Sequence, residues 1–131
     1  MEIKLDTAKD GLGSLFKPYQ AMLLEHIWEL NADETVRIGS GRAHEYLQGT
    51  SEKMSRASVI FFLNDMVDEG VLGFDDRTGK GGHHRIYFPK MSREEFAQHA
   101  VKQVVEGVAK TFPEDKMVQR FADVAMDSLM K

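Results

Sequence analysis

The chain has no cysteine. That excludes a disulfide framework, a thiolate metal site and a cysteine nucleophile. No apolar run approaches the ~20 residues that a membrane-spanning helix needs. The opening residues, MEIKLDTAKDGLGSLF, lack the apolar stretch of a secretory signal. A cytoplasmic protein without membrane contact fits these absences. Internal repeats and low-complexity tracts are missing too. Proline occurs only three times, each at an expected boundary: Pro18 in the first turn of a helix, Pro89 after a strand and Pro113 between helices. The single Trp28 is expected to pack at a helix interface.

Catalytic and cofactor signatures are also wanting. GKG at 79–81 has no Ser or Thr after the lysine, and Gly73 is one residue too far upstream for a phosphate-binding loop. GSG at 39–41 lacks the third glycine of a dinucleotide fingerprint, and His44-Glu45 has no second histidine at zinc-protease spacing. His83 and His84 are adjacent, so in a strand they point to opposite faces and cannot easily share a metal. No local Ser–His arrangement suggests a nucleophile. No enzyme activity, metal or cofactor is expected.

What is present is a patterned charge distribution. The chain has a formal net charge of −4, yet Arg77, Lys80, Arg85 and Lys90 fall in a segment free of Asp and Glu. A basic patch on an acidic body suits local binding to a polyanion, and it also suits a merely solvated hairpin.

Apolar periodicity supplies the elements. Residues 1–15 are polar and glycine-containing and read as a flexible arm. Tyr19, Met22, Leu23, Ile27 and Leu30 recur at helical spacing to about Asn31. Thr35 to Ile38 alternates like a short strand. Ser40 suits the N-cap of a short helix that Gly49 would end. A third helix opens at Ser51 or Ser55 and carries a stripe of Val59, Phe62, Leu63, Met66 and Val67, with Gly70 at its C′ position. Val71–Phe74 and Arg85–Phe88 read as strands joined by the linker DDRTGKGGHH, too long for a tight turn. Ser92 and Glu95 form a capping box for a fourth helix. Glu114 and Asp115 suit the start of a fifth.

A helix followed by a basic hairpin is the outline of a winged helix-turn-helix, which places its third helix in the DNA major groove. The outward face of that helix carries Ala57, Ile60, Phe61 and Asn64, flanked by Lys53 and Arg56, with Ser55 and Ser58 as short donors to phosphate or base edges. Arg56 suits guanine or a phosphate, Asn64 suits adenine, and Ala57 and Ile60 suit a thymine methyl. Ile60 and Phe61 have an alternative role in packing on a C-terminal helix, which is the expectation for Phe61. Arg42 on the short second helix joins the DNA-facing set. In the hairpin, Arg77, Lys80, His83, His84 and Arg85 are expected to clamp phosphates. The last two helices carry Phe96, Val101, Val104, Val105, Val108, Phe112, Val118, Phe121, Ala125 and Leu129, more apolar surface than a small winged core needs. A homodimer interface is the expected use.

The pattern SxxSV…FLNDMVDEGVL, with YQAMLLEHIWEL and TVRI before it and RIYFPKMSREEF after it, resembles the penicillinase-repressor (BlaI/MecI-like) family, and more distantly the MarR-like group. That resemblance implies a homodimeric transcriptional repressor that reads DNA with the third helix and dimerises through the last helices. Asp65, Asp68 and Glu69 depart from it, because such repressors often carry basic residues there.

The expected fold class is mostly α with a small β-hairpin. It divides into an arm at 1–15, a winged helix-turn-helix at 16–90 and a helical dimerisation region at 91–131. The expected partners are a pseudo-palindromic double-stranded DNA operator and a second copy of the chain. No residue cluster identifies an effector. The competing expectation is a winged-helix protein-interaction module.

Overall fold

The computed structural model describes residues 4–79 and 82–130. Its elements are α1 (Pro18–Leu30), β1 (Ile38–Gly39), α2 (Ser40–Gln48), α3 (Arg56–Asp68), β2 (Leu72–Gly79), β3 (Gly82–Pro89), α4 (Arg93–Thr111) and α5 (Lys116–Leu129). This is a winged helix, in the element order that the apolar periodicity predicts.

Local chemistry explains most boundaries. Pro18 opens α1, where its missing N–H costs no helical hydrogen bond. Ser55 caps α3, its hydroxyl accepting from Ser58 N at 3.1 Å. At the other end Val71 N donates to Met66 O at 2.9 Å and Gly70 N to Val67 O at 3.0 Å, a paired closure that puts Gly70 at φ 79°. Only glycine takes that angle without strain. The Ser92–Glu95 capping box forms reciprocally, at 3.0 and 3.1 Å. Asp115 caps α5 through Val118 N. Ser40 differs from expectation: it is already helical, and Gly39 holds the cap position with no side-chain bond.

The sheet order is β1-β3-β2, all antiparallel. The hairpin departs most from expectation. The linker DDRTGKGGHH is largely strand, because pairing runs from Leu72↔Pro89 to Gly79↔Gly82. Strand β1 is shorter and later than 35–38, at Ile38–Gly39.

The core gathers Leu23, Leu24 and Ile27 of α1, Leu47 of α2, Phe62 and Leu63 of α3, and Tyr87 of β3. Two contributors come from outside the expected limits. Leu12 and Leu15, from the expected arm, pack beside the buried Phe16, with a 3-10 turn at Gly11–Ser14. Residues 11–15 are therefore folded onto the core rather than loose. Phe96 and Ala100 of α4 belong to the same core. Phe16 lies 5.8 Å from both Phe62 and Phe96, ring centre to ring centre, and Trp28 lies 5.6 Å from Phe96. Trp28 also donates its indole N–H to Met91 O at 3.0 Å, so it seals the junction between α1 and the start of α4. Arg93 Nε bonds Glu25 Oε1 at 2.9 Å across the same junction.

Helices α4 and α5 form an antiparallel-type hairpin around Pro113. Gln119 Nε2 bridges Ala109 O and Phe112 O, both at 2.9 Å, and so satisfies carbonyls at the end of α4. Among the described residues, no helix is long and apolar enough to cross a membrane.

Candidate nucleic-acid interface

Helix α3 buries Val59, Phe62, Leu63 and Met66, and this fixes what the opposite face shows. Arg56 and Ala57 are exposed at its first turn, with Lys53 and Ser55 exposed just ahead. Ser58 and Ile60 are half-buried. Ser55 is engaged as the cap, and its hydroxyl lies 3.0 Å from Ser58 Oγ. Arg56 Nη2 lies 3.5 Å from Ser40 Oγ, so the guanidinium leans across the start of α2. Arg42 is exposed on α2. Phe61 is 70% exposed. It therefore does not pack on the C-terminal helices of its own chain: its side of α3 turns away from the core that holds Phe96 and Ala100.

Asn64 has a role that sequence reading did not anticipate. Its Oδ1 accepts from Tyr87 Oη at 2.7 Å and from Arg85 Nη1 at 3.1 Å. Arginine can only donate, so the carboxamide oxygen must face it, and the orientation of the amide is settled. The two bonds pin the hairpin to α3. Asn64 is left with donors alone toward the outside, whereas bidentate adenine recognition needs an acceptor as well. Tyr87 is almost fully buried, and burial pushes its phenol above the usual range while Arg85 opposes the shift. The hydroxyl therefore stays protonated and can donate.

The register sorts the hairpin cations onto two faces, because directly paired residues share a face. Asp76↔Arg85 and Thr78↔His83 lie on the side of Phe74 and Tyr87, toward α3. Arg77↔His84 and Asp75↔Ile86 lie on the reverse side. Arg85 stacks its guanidinium 3.9 Å from the centre of the Phe74 ring. Its opposite neighbour is Asp76, so the basic segment is not free of facing acids as its composition suggests. On the reverse side Arg37, unassigned from sequence, pairs with Asp75 and lies 4.8 Å over Phe88. Arg77, His83, His84 and Arg85 are all exposed. Gly82, at φ 98°, stands at the tip, and Lys80 lies outside the described residues.

The expected dimer-forming residues divide similarly. Phe96 and Val105 are buried within the chain, Val104, Val118, Ala125 and Leu129 are half-buried, and Val101, Val108, Phe112 and Phe121 are exposed. Met117 and Val124 join the exposed set.

Among the described residues, no group of three or more His, Cys, Asp or Glu could hold a metal ion. His26 stacks on Tyr46 at 3.7 Å between α1 and α2. Desolvation lowers the pKa of His26 and the Arg42 charge adds to that, against an opposing pull from Glu29. Its position in a helix interface makes it a packing residue.

Neither a search of curated proteins nor a search of solved structures found a match. The family model described as penicillinase repressor matches residues 18–128, from the first residue of α1 almost to the end of α5. With the winged fold and that match over most of its length, the chain belongs to the penicillinase repressor family, whose members are regulators rather than enzymes.

Proposed function

We propose that this protein is a homodimeric transcriptional repressor that binds a pseudo-palindromic DNA operator. Helix α3 enters the major groove by its N-terminal half, and the β2–β3 hairpin lies along the neighbouring phosphates. The observation that carries this reading is the exposed first turn of α3, with Lys53, Arg56 and Ala57 presented outward while the opposite face is locked in the core. Arg56 is the principal base-reading residue, and Ala57 and Ile60 offer apolar contacts to thymine. Arg77, Lys80, His83 and His84 supply phosphate contacts, which give affinity and register rather than sequence choice. Arg85 acts through Asn64, holding the hairpin at a fixed angle to the helix. The second copy joins through α4 and α5. Two recognition helices would then meet half-sites about 34–36 Å apart.

Selection of bound DNA from a random pool tests this reading. An inverted repeat should be enriched, and Arg56→Ala should lower the preference for it by about 10- to 100-fold. No binding to any duplex at low salt would overturn it. A second reading, a winged helix that binds a protein, is favoured by Phe61, 70% exposed on the same helix. It predicts no duplex binding in that experiment.

A further inference from the structure

The outer side of α5 carries two parallel rows. Met117, Phe121 and Val124 follow at i, i+4 and i+7, on one face of the helix. They are 79%, 62% and 62% exposed, a large apolar strip for a chain in isolation. One residue earlier, at the same spacing, run Lys116, Arg120, Asp123 and Asp127, all exposed. In that second row two positive charges are followed by two negative ones.

Such a row is its own complement when reversed. In a two-fold contact, residue i of one copy meets residue j of the other, and j meets i. A two-fold axis level with the Phe121–Ala122 bond places Arg120 opposite Asp123 of the second copy. The pairing occurs twice. The same axis brings the two Phe121 rings together at the centre and leaves each Met117 about two residues, roughly 3 Å of helix rise, from the level of the far Val124. A parallel arrangement would instead set like charges side by side. Alongside Phe121, a groove of about 470 Å³ lined by Leu12, Leu15, Ala97, Val101 and Val104 leaves room for apolar side chains from the other copy. Leu12 and Leu15 precede residue 18, where the family match begins, so this wall of the groove belongs to the chain's own N-terminal segment.

We infer that α5 packs antiparallel on α5 of a second copy, centred on Phe121, with Arg120–Asp123 pairs fixing the register. This rests on the homodimer reading above and specifies its geometry.

The test is charge reversal in the full chain, read by sedimentation across a concentration series, with helix content checked by circular dichroism. Arg120→Asp and Asp123→Arg should each weaken the dimer about tenfold or more, since two attractions become two repulsions. The double reversal Arg120→Asp/Asp123→Arg should restore affinity to within about threefold. Mixing the two single variants should give a heterodimer tighter than either alone. A wild-type chain that stays monomeric would overturn the homodimer reading itself. A wild-type dimer that ignores the single reversals, or that the double reversal does not rescue, would overturn this register alone.

Discussion

Asn64→Ala removes the one acceptor shared by Tyr87 and Arg85. The two donors lose unequally. Arg85 is exposed and turns to water, so its contribution is small. The Tyr87 hydroxyl sits on a residue only 2% exposed and cannot readily do so. Leaving such a donor unsatisfied costs about 1–3 kcal/mol. A central value of about 2 kcal/mol, with the unfolding entropy of a chain this size, lowers Tm by about 7 °C. Urea unfolding of the full chain at one fixed protein concentration measures this, with the midpoint falling and the slope unchanged. Tyr87→Phe is the control, since it removes the donor and leaves Asn64 still bonded to Arg85. The double variant should cost about 1 kcal/mol less than the two singles together. A loss under about 0.5 kcal/mol for Asn64→Ala, or simple additivity, would refute the tie between helix and hairpin.

The remaining predictions concern packing, pH and salt. Gly73→Ala would bring a Cβ to 2.8 Å from Phe88 Cζ and 2.9 Å from Lys90 Cγ, so thermal unfolding should show a loss of about 1–3 kcal/mol. Gly79→Ala, whose Cβ would approach nothing among the described residues nearer than His84 Cε1 at 3.8 Å, should lose markedly less. His26 has a pKa lowered in the folded state, first by desolvation. The unfolded chain therefore binds the proton more readily, and this residue's contribution to stability is complete above its unfolded pKa of about 6.5 and is lost as the pH falls below it. Urea midpoints measured across that range should decline less in His26→Gln; an identical decline would remove His26 as a source. Arg77→Ala should reduce the slope of log affinity against log salt by about 0.9 for each phosphate that the arginine neutralises. An unchanged slope would take Arg77 off the DNA.

The helices were legible because each buries one face, and a buried face writes a period into the sequence. Val59, Phe62, Leu63 and Met66 are an example, with Ser55 and Gly70 marking the ends. The outer hairpin was not legible, since both faces of 75–79 and 82–84 meet water and no alternation is imposed. Its strands are held mainly by backbone pairing, with side-chain contacts such as Arg37 to Asp75 added at the base. The fold of 11–16 was masked by two glycines, although Leu12, Leu15 and Phe16 carried the apolar signal. At the interface, the exposed turn of α3 followed from the stripe opposite. The roles of Asn64 and Arg85 did not, because they depend on residues 21 positions apart being brought within 3.1 Å by the sheet. Phe61 misled for the opposite reason: a large apolar side chain implies a partner, and within this chain it has an open face.

Phe16 touches the ring of Phe62 on α3 and the ring of Phe96 on α4. Helix α3 and the C-terminal hairpin are thus wedged against a common ring, with no slack tether between them. In the proposed dimer this makes a rigid caliper, its opening set by side-chain packing. Such a caliper tolerates few operator spacings, and a one-residue change at Phe16 would act on spacing tolerance without touching DNA or the second copy.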